Sequence, residues 1–122
     1  EVLNPPEDFS LNLGLNNSSL VLRISYNDRS FLLTGDIEAE TEEFLVNNVP
    51  ASQLKADIMQ VPHHGSATSS SYDFLSAVGA SHAVIQCGRD NRYGFPKKDV
   101  LKRLNEAGVN VYRTDLDGAV KF

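Results

Sequence analysis

Two apolar runs constrain this chain more than any other feature: Phe31-Leu32-Leu33 and Ile58-Met59-Gln60-Val61. The first lacks polar alternation, as expected of a central strand covered on both faces. The second reads as a buried strand. Each is followed at once by groups that can hold a metal or move a proton. Thr34-Gly35-Asp36 follows the first run and Pro62-His63-His64-Gly65-Ser66 follows the second. Strand exits along one edge of an α/β sheet are where such proteins build their sites.

At 122 residues and 41% apolar content the chain is one domain or part of one, with enough material for a core. Its net charge of −5 argues against a dedicated nucleic-acid binder. The charge is uneven, however. Residues 1–54 carry Arg23 and Arg29 against nine acids, and residues 55–122 carry nine Lys/Arg against seven acids. The half with the histidines therefore tolerates an anionic ligand. Cys87, the single cysteine, forms no intrachain disulfide and reads as a small core residue. No run approaches the roughly 20 apolar residues of a membrane span, and no signal peptide is visible. A first residue of Glu1 is what a piece of a longer protein shows.

Local patterns give the order ββαβαβαββ, with about three helices on a mixed sheet. Residues 1–15 read as an irregular lead-in, with a short extended piece at Phe9 to Leu13. Leu20 to Tyr26 alternates as a half-buried strand, turns at Asn27-Asp28 and returns through Ser30 to Thr34. Helices are expected from about Ala39 to Asn47, from Tyr72 to Val78 before Gly79, and from Lys97 to Ala107 before Gly108. Strands are expected at Ala56–Val61, Ser81–Cys87 and Val109–Arg113. Asp117-Gly118 is a hairpin signal leading to a last strand, Ala119–Phe122.

Each candidate residue has a plain reading beside the functional one. Asp36 is anionic and rigidly placed, which suits a divalent cation. It is also placed to cap the helix that follows, which is the commoner role for such a residue. His63 and His64 offer imidazole for ligation or general acid–base work, or form an incidental surface turn. Adjacent histidines in an extended segment point apart, so only one of them ligates a given ion. Gly65-Ser66 and the Ser/Thr run behind it offer N–H and hydroxyl donors to a phosphate. Arg89, Asn91, Arg92 and Tyr93 lie in a loop that either contacts a phosphate backbone and stacks a base or is simply solvated. Thr114 to Gly118 reads as a turn, and His82 as structural.

In order, Asn17-Ser18-Ser19-Leu20, Leu33-Thr34-Gly35-Asp36-Ile37, Val61-Pro62-His63-His64-Gly65-Ser66, Asp90-Asn91-Arg92-Tyr93-Gly94 and Tyr112-Arg113-Thr114-Asp115 resemble the carboxy-terminal part of the metallo-β-lactamase-like domain of the ComEC family. These are membrane channel proteins for DNA uptake in competent bacteria. The resemblance covers residues 16–122. It implies the C-terminal half of an αββα sandwich with a two-metal site, Zn or Mn, between its sheets. It also implies DNA as substrate and a soluble domain on the outer face of the inner membrane, attached to the channel portion of the same protein. By position, Asp36 and His63 match metal ligands, and His63 and His64 match the catalytic histidine pair. Asn91, Tyr93 and Gly94 match a loop at the site's rim, and Ser66, Arg89 and Arg92 are, from their own chemistry, the further expected substrate contacts.

Two departures qualify the match. The HxHxDH-type motif of the family's first half has no counterpart here. The rim reads Gly94-Phe95-Pro96 where relatives carry Gly-His-Pro. The expectation is a metal-dependent DNA phosphodiesterase in the full domain, with this half inactive alone, needing its missing N-terminal half and prone to self-associate. The alternative is a non-catalytic domain that guides DNA or assembly.

Overall fold

The computed structural model describes residues 1–6 and 14–122. Its strands are β1 (Val2–Asn4), β2 (Val21–Tyr26), β3 (Arg29–Leu33), β4 (Ile58–Gln60), β5 (His82–Ile85) and β6 (Asn110–Arg113). Its helices are α1 (Gly14–Asn17), α2 (Ala39–Asn48), α3 (Ala51–Leu54), α4 (Tyr72–Val78), α5 (Lys98–Glu106) and α6 (Thr114–Asp117). The strands form one mixed sheet in the order β1-β2-β3-β4-β5-β6. The β1–β2 and β2–β3 pairs are antiparallel and the other three are parallel. Parallel neighbours in sequence order, with crossovers of one hand, put the connecting helices on a single face.

That face holds the core. Val21, Leu32, Met59, Ala83 and Ile85 from the strands meet Leu45, Phe74, Val78, Val100 and Leu104 from the helices. Of the three longer helices, α2, α4 and α5, the last two end as the sequence predicts. Ser71 Oγ caps α4 by accepting from Phe74 N, and Gly79 follows at φ +60°. Gly108 follows α5 at φ +71°.

The opposite face departs from the expected pattern. The apolar alternation of Leu22, Ile24 and Tyr26 was expected to mark the buried side of β2. Val21 is the residue that enters the helix-covered core, while Ile24 is 45% and Tyr26 74% exposed. Register continues this second face across the sheet: Leu22 lies opposite Leu33, Ile24 opposite Phe31, Phe31 opposite Ile58 and Ile58 opposite His82. Phe122 lies over its far side, 5.5 Å from the His82 ring and 5.6 Å from Tyr112. His82 thus has a structural place among aromatic rings. Among the described residues, the sheet is apolar on both faces and helices dress only one.

Other expectations are corrected by long-range partners. Val2–Asn4 is a strand and not irregular lead-in. It pairs with β2, and Asn4 Nδ2 donates to the carbonyls of Asn17 and Ser19 at 3.1 and 2.7 Å. The piece expected at Phe9 to Leu13 lies outside the described residues. Ala119–Phe122 joins no strand, and the Asp117-Gly118 hairpin is replaced by α6. Arg113 draws α6 into place, with its guanidinium on Asp115 and its N–H on Asp117 Oδ2. Asp36 does not cap α2. The cap position is Glu38, whose N–H donates to Asn17 Oδ1 at 2.7 Å.

Candidate functional site

The exits of β3, β4 and β5 are neighbours at the carboxyl edge of the sheet, and each delivers part of one constellation. Crosslinks fix the first two exits together. Thr34 Oγ1 donates to Gln60 O at 3.0 Å, and His63 N donates to Gly35 O at 3.1 Å. Gly35 is tightly enclosed, since a Cβ there would sit 2.8 Å from Ser19 Cβ. Ser19 Oγ accepts from Asp36 N at 3.1 Å, which sets the carboxylate's position.

The histidine pair is not extended. His63 (φ 50°, ψ 41°) and His64 (φ 55°, ψ 20°) are consecutive left-handed residues in a tight turn, Pro62–Gly65. Each such residue costs on the order of 1–3 kcal/mol and persists only where its surroundings impose it, commonly at functional sites. The bend sends the two rings to different partners. His64 Nδ1 lies 2.6 Å from Gln86 O. A carbonyl only accepts, so Nδ1 carries a proton, and in the neutral imidazole Nε2 holds the lone pair. Nε2 in turn lies 3.4 Å from Asp36 Oδ1. Asp36 therefore pairs with His64, whereas the predicted metal pair was Asp36 with His63. A histidine whose outer nitrogen is anchored on a backbone carbonyl has the arrangement common among metal-ligating imidazoles.

His63 turns the other way. Its Nδ1 lies 3.3 Å from Glu38 Oε1 and 3.5 Å from Thr68 Oγ1, and that hydroxyl donates to the same Glu38 oxygen at 3.0 Å. Its ring meets the Phe95 ring edge-on at 5.8 Å. Sequence reasoning missed Glu38, Thr68 and Gln86. Only the two-residue step from Asp36 to Glu38 hinted at the first. Ser66 is buried and its hydroxyl is engaged with Thr68 Oγ1 at 3.0 Å.

The segment behind these hydroxyls is held from both sides. Arg103 donates to Ser70 O and Ser69 O at 2.7 and 2.8 Å, while the fully buried Glu42 accepts from the N–H groups of Ser70 and Ser71. Burial pushes the Glu42 carboxyl above its usual range, against the pull of those two donors.

The rim loop after β5 carries the remaining predicted residues. Asn91 is occupied in shaping the loop. Its Oδ1 accepts from Phe95 N at 2.9 Å, and its Nδ2 donates to Phe95 O and Gly88 O at 2.8 and 3.0 Å. Lys97 Nζ donates to Tyr93 O at 2.7 Å. Arg89 Nε reaches Asp115 O at 3.4 Å, and Arg92 lies 4.8 Å over the Tyr93 ring. The Tyr93 and Phe95 rings stack at 5.5 Å and 17°. Between this loop and the histidine turn lies a cleft of about 300 Å³ lined by His64, Gln86, Cys87, Gly88, Asn91, Tyr93 and Phe95.

The exits of β5 and β6 are clipped together below the rim. Thr114 Oγ1 donates to Cys87 O at 2.9 Å and accepts from Cys87 N at 3.0 Å. Cys87 is partly buried against the core, and its thiol donates to Asp115 at 3.2 Å. Burial, and then Asp115, push that thiol up, so it stays protonated at neutral pH. The Arg113 guanidinium holds Asp115 down at about 2, below its ordinary 3.8. A lowered carboxyl contributes its full stabilisation above the ordinary value and loses it as pH falls through the folded one. Amide exchange at Arg113 to Asp117 is therefore expected to stay slow down to about pH 4 and to quicken toward pH 2. Asp115→Asn is expected to abolish that acid step. An unchanged step in the variant would assign it to another group.

Comparison with known proteins places the chain in a family. The family model "Metallo-beta-lactamase superfamily" matches residues 1–89. The chain is 39% identical over 107 residues to "ComE operon protein 3" of Bacillus subtilis, covering 88% of this chain and 14% of that protein. It is 38% identical over all 122 residues to "Competence protein ComA" of Neisseria gonorrhoeae, covering 17% of that protein. It is 38% identical over 106 residues to "Recombination protein 2" of Haemophilus influenzae, 87% of this chain and 13% of that protein. The chain thus spans about one-seventh of the length of these relatives. Among the described residues, no helix is long and apolar enough to cross a membrane. With three-quarters of its length in the family match and strand exits that carry Asp36 and the histidine turn, the chain belongs to the metallo-β-lactamase superfamily, in the branch represented by these ComEC-type competence proteins.

Proposed function

We propose that this chain is part of a metal-dependent phosphodiesterase domain that processes a DNA strand during uptake. One observation carries the reading. With the imidazole neutral, Asp36 Oδ1 and His64 Nε2 are both acceptors facing each other at 3.4 Å, because the Gln86 carbonyl holds the proton on Nδ1. A proton or a metal cation between them relieves the repulsion. Carboxylate oxygen with imidazole nitrogen is a donor set that suits zinc or manganese.

Two side chains are fewer than the three or four protein ligands that such ions take, and no group of three His, Cys, Asp or Glu poised for a metal occurs among the described residues. The remaining ligands come, on this reading, from another segment of the longer protein packed on the open sheet face. Failing that, the apolar face drives self-association. The bound metal would supply an activated water and neutralise charge on the scissile phosphate.

This chain's own residues do the rest. Asp36 and His64 hold the ion. His63, with Glu38 and Thr68 at its Nδ1, exchanges a proton with the substrate at Nε2. Ser66 and Thr68 present hydroxyls, and Arg89 and Arg92 neutralise the flanking backbone. The channel portion of the same protein, at the outer face of the inner membrane, delivers the strand.

Calorimetric titration of the chain with Mn²⁺ or Zn²⁺ is expected to show weak binding that falls at least about tenfold in Asp36→Asn and in His64→Asn. In the longer protein, either change is expected to remove DNA hydrolysis. Unaltered metal affinity in both variants would overturn the assignment. The shortage of ligands gives a second reading some support, a domain that guides DNA without cutting it. That reading is selected if the longer protein binds DNA but hydrolyses none.

A further inference from the structure

The cleft between the histidine turn and the rim loop is adjacent to the Asp36–His64 pair and shares His64 with it. We propose that it receives a single unstacked nucleobase, from the nucleotide whose phosphate lies at that pair. This inference rests on the phosphodiesterase reading and adds to it a requirement for an unpaired substrate.

Three features point to a base. The cleft's volume of about 300 Å³ is at the small end of ligand pockets. Its lining combines two aromatic rings with Cys87 and the Gly88 backbone, and its polar side chains are few. Gln86 is one of these and can pair with a base edge. No lysine or arginine lines the cleft to meet a phosphate or a carboxylate, whereas a flat, weakly polar heterocycle finds two aromatic rings and the carboxamide of Gln86, that of Asn91 being engaged by Phe95 and Gly88.

The aromatic pair is also pre-organised. Asn91 grips the backbone of Phe95 at both its N–H and its carbonyl, Lys97 grips the carbonyl of Tyr93, and Lys97 N donates to Gly65 O at 2.9 Å. The rings therefore lose little freedom on binding. Arg92, over Tyr93, places a cation where the next phosphate of the strand would pass. Bases inside a duplex are stacked on both faces and cannot enter such a cleft without being extruded. Occupancy thus selects single-stranded or frayed DNA.

The test titrates the chain with a single strand containing one 2-aminopurine, with the same strand carrying an abasic site at that position, and with the blunt duplex. Stacking should quench the 2-aminopurine in the single strand and leave the duplex signal unchanged. The abasic strand should bind roughly tenfold more weakly. Phe95→Leu with Tyr93→Leu keeps apolar bulk and the Asn91 backbone bonds but removes the π-faces. This variant should lose the quench and the same factor in affinity, with its thermal midpoint preserved. Equal affinity for the base-bearing and abasic strands, or a quench that survives in the leucine variant, overturns the proposal.

Hydrolysis by the longer protein separates this failure from that of the underlying reading. Equal cutting of base-bearing and abasic strands sinks the base cleft alone. Quenching by the chain without any hydrolysis by the longer protein sinks the phosphodiesterase reading and leaves the cleft standing as a base site.

Discussion

Glu42→Ala is expected to destabilise the chain by about 3 kcal/mol, visible as a fall of roughly 10 °C in thermal midpoint. Two backbone donors, from Ser70 and Ser71, end on this carboxylate, and no solvent reaches it. Alanine leaves both N–H groups without an acceptor, each at a cost of about 1–3 kcal/mol, and opens a void. The gain from no longer burying a carboxylate offsets only part of this.

Glu42→Gln separates the two contributions. Its amide oxygen accepts one N–H, but its NH₂ faces the second donor, so an intermediate loss is expected. The sign of the pH dependence follows from the raised carboxyl. A group whose folded value lies above its ordinary 4.5 contributes most below that value and loses its contribution as pH rises through the folded one. The gap between wild type and Glu42→Gln should therefore be wider near pH 4 than near pH 8. A midpoint within about 2 °C of wild type for Glu42→Ala would mean that the two amides find another acceptor.

Gly65→Ala is expected to cost about 3 kcal/mol and to part the rim loop from the histidine turn. Gly65 has φ +81°, a conformation that strains any residue with a side chain. The added Cβ would lie 2.6 Å from Pro96 Cβ and 3.1 Å from Pro96 Cα, both on a stiff, buried ring residue. Relief requires Pro96 to move, and with it Phe95 and the Lys97 N–H bonded to Gly65 O. The Phe95 ring now shields the edge of His63 at 5.8 Å. In the variant, the His63 imidazole protons should lose that ring-current shift in an NMR spectrum. Retention of both the shift and the thermal midpoint would show that the loop yields without leaving the site.

Local chemistry made much of the framework legible. The Tyr72–Val78 and Lys98–Glu106 helices follow from their apolar spacing and glycine stops, and the hairpin of β2 and β3 from its turn residues. Strand exits identified the sheet edge on which Asp36, His63, His64 and the rim loop meet. What was not legible depends on distant partners. Val2–Asn4 becomes a strand only because β2 is there to pair with. Asp115 and Asp117 build a helical turn because Arg113 recruits them. Asp36 was free to cap α2 in the sequence, but the cap position falls to Glu38, whose N–H is held by Asn17 from elsewhere in the chain. Which histidine meets Asp36 depended on backbone dihedrals that an extended reading of Val61 to Ser66 does not contain. The alternation in β2 reads as an apolar face, but one strand in isolation does not say on which side its helices lie.

The left-handed turn at His63 and His64 also decides how mutations there can be interpreted. Histidine, asparagine and aspartate enter that conformation several-fold more readily than other side chains, and β-branched ones hardly at all. A valine or an isoleucine at either position would unmake the bend, and the resulting loss of activity would report on backbone geometry and not on imidazole. Asparagine keeps the bend and removes the ring, so it isolates the chemistry. Glycine would relax the backbone and remove the ring together, making the chain sturdier as it becomes idle, the exchange expected where strain is held for a purpose. Selection for stability alone would pull these two positions toward glycine. Two adjacent histidines in this geometry are what the proposed use of the turn would leave in the backbone, whatever ligand is bound.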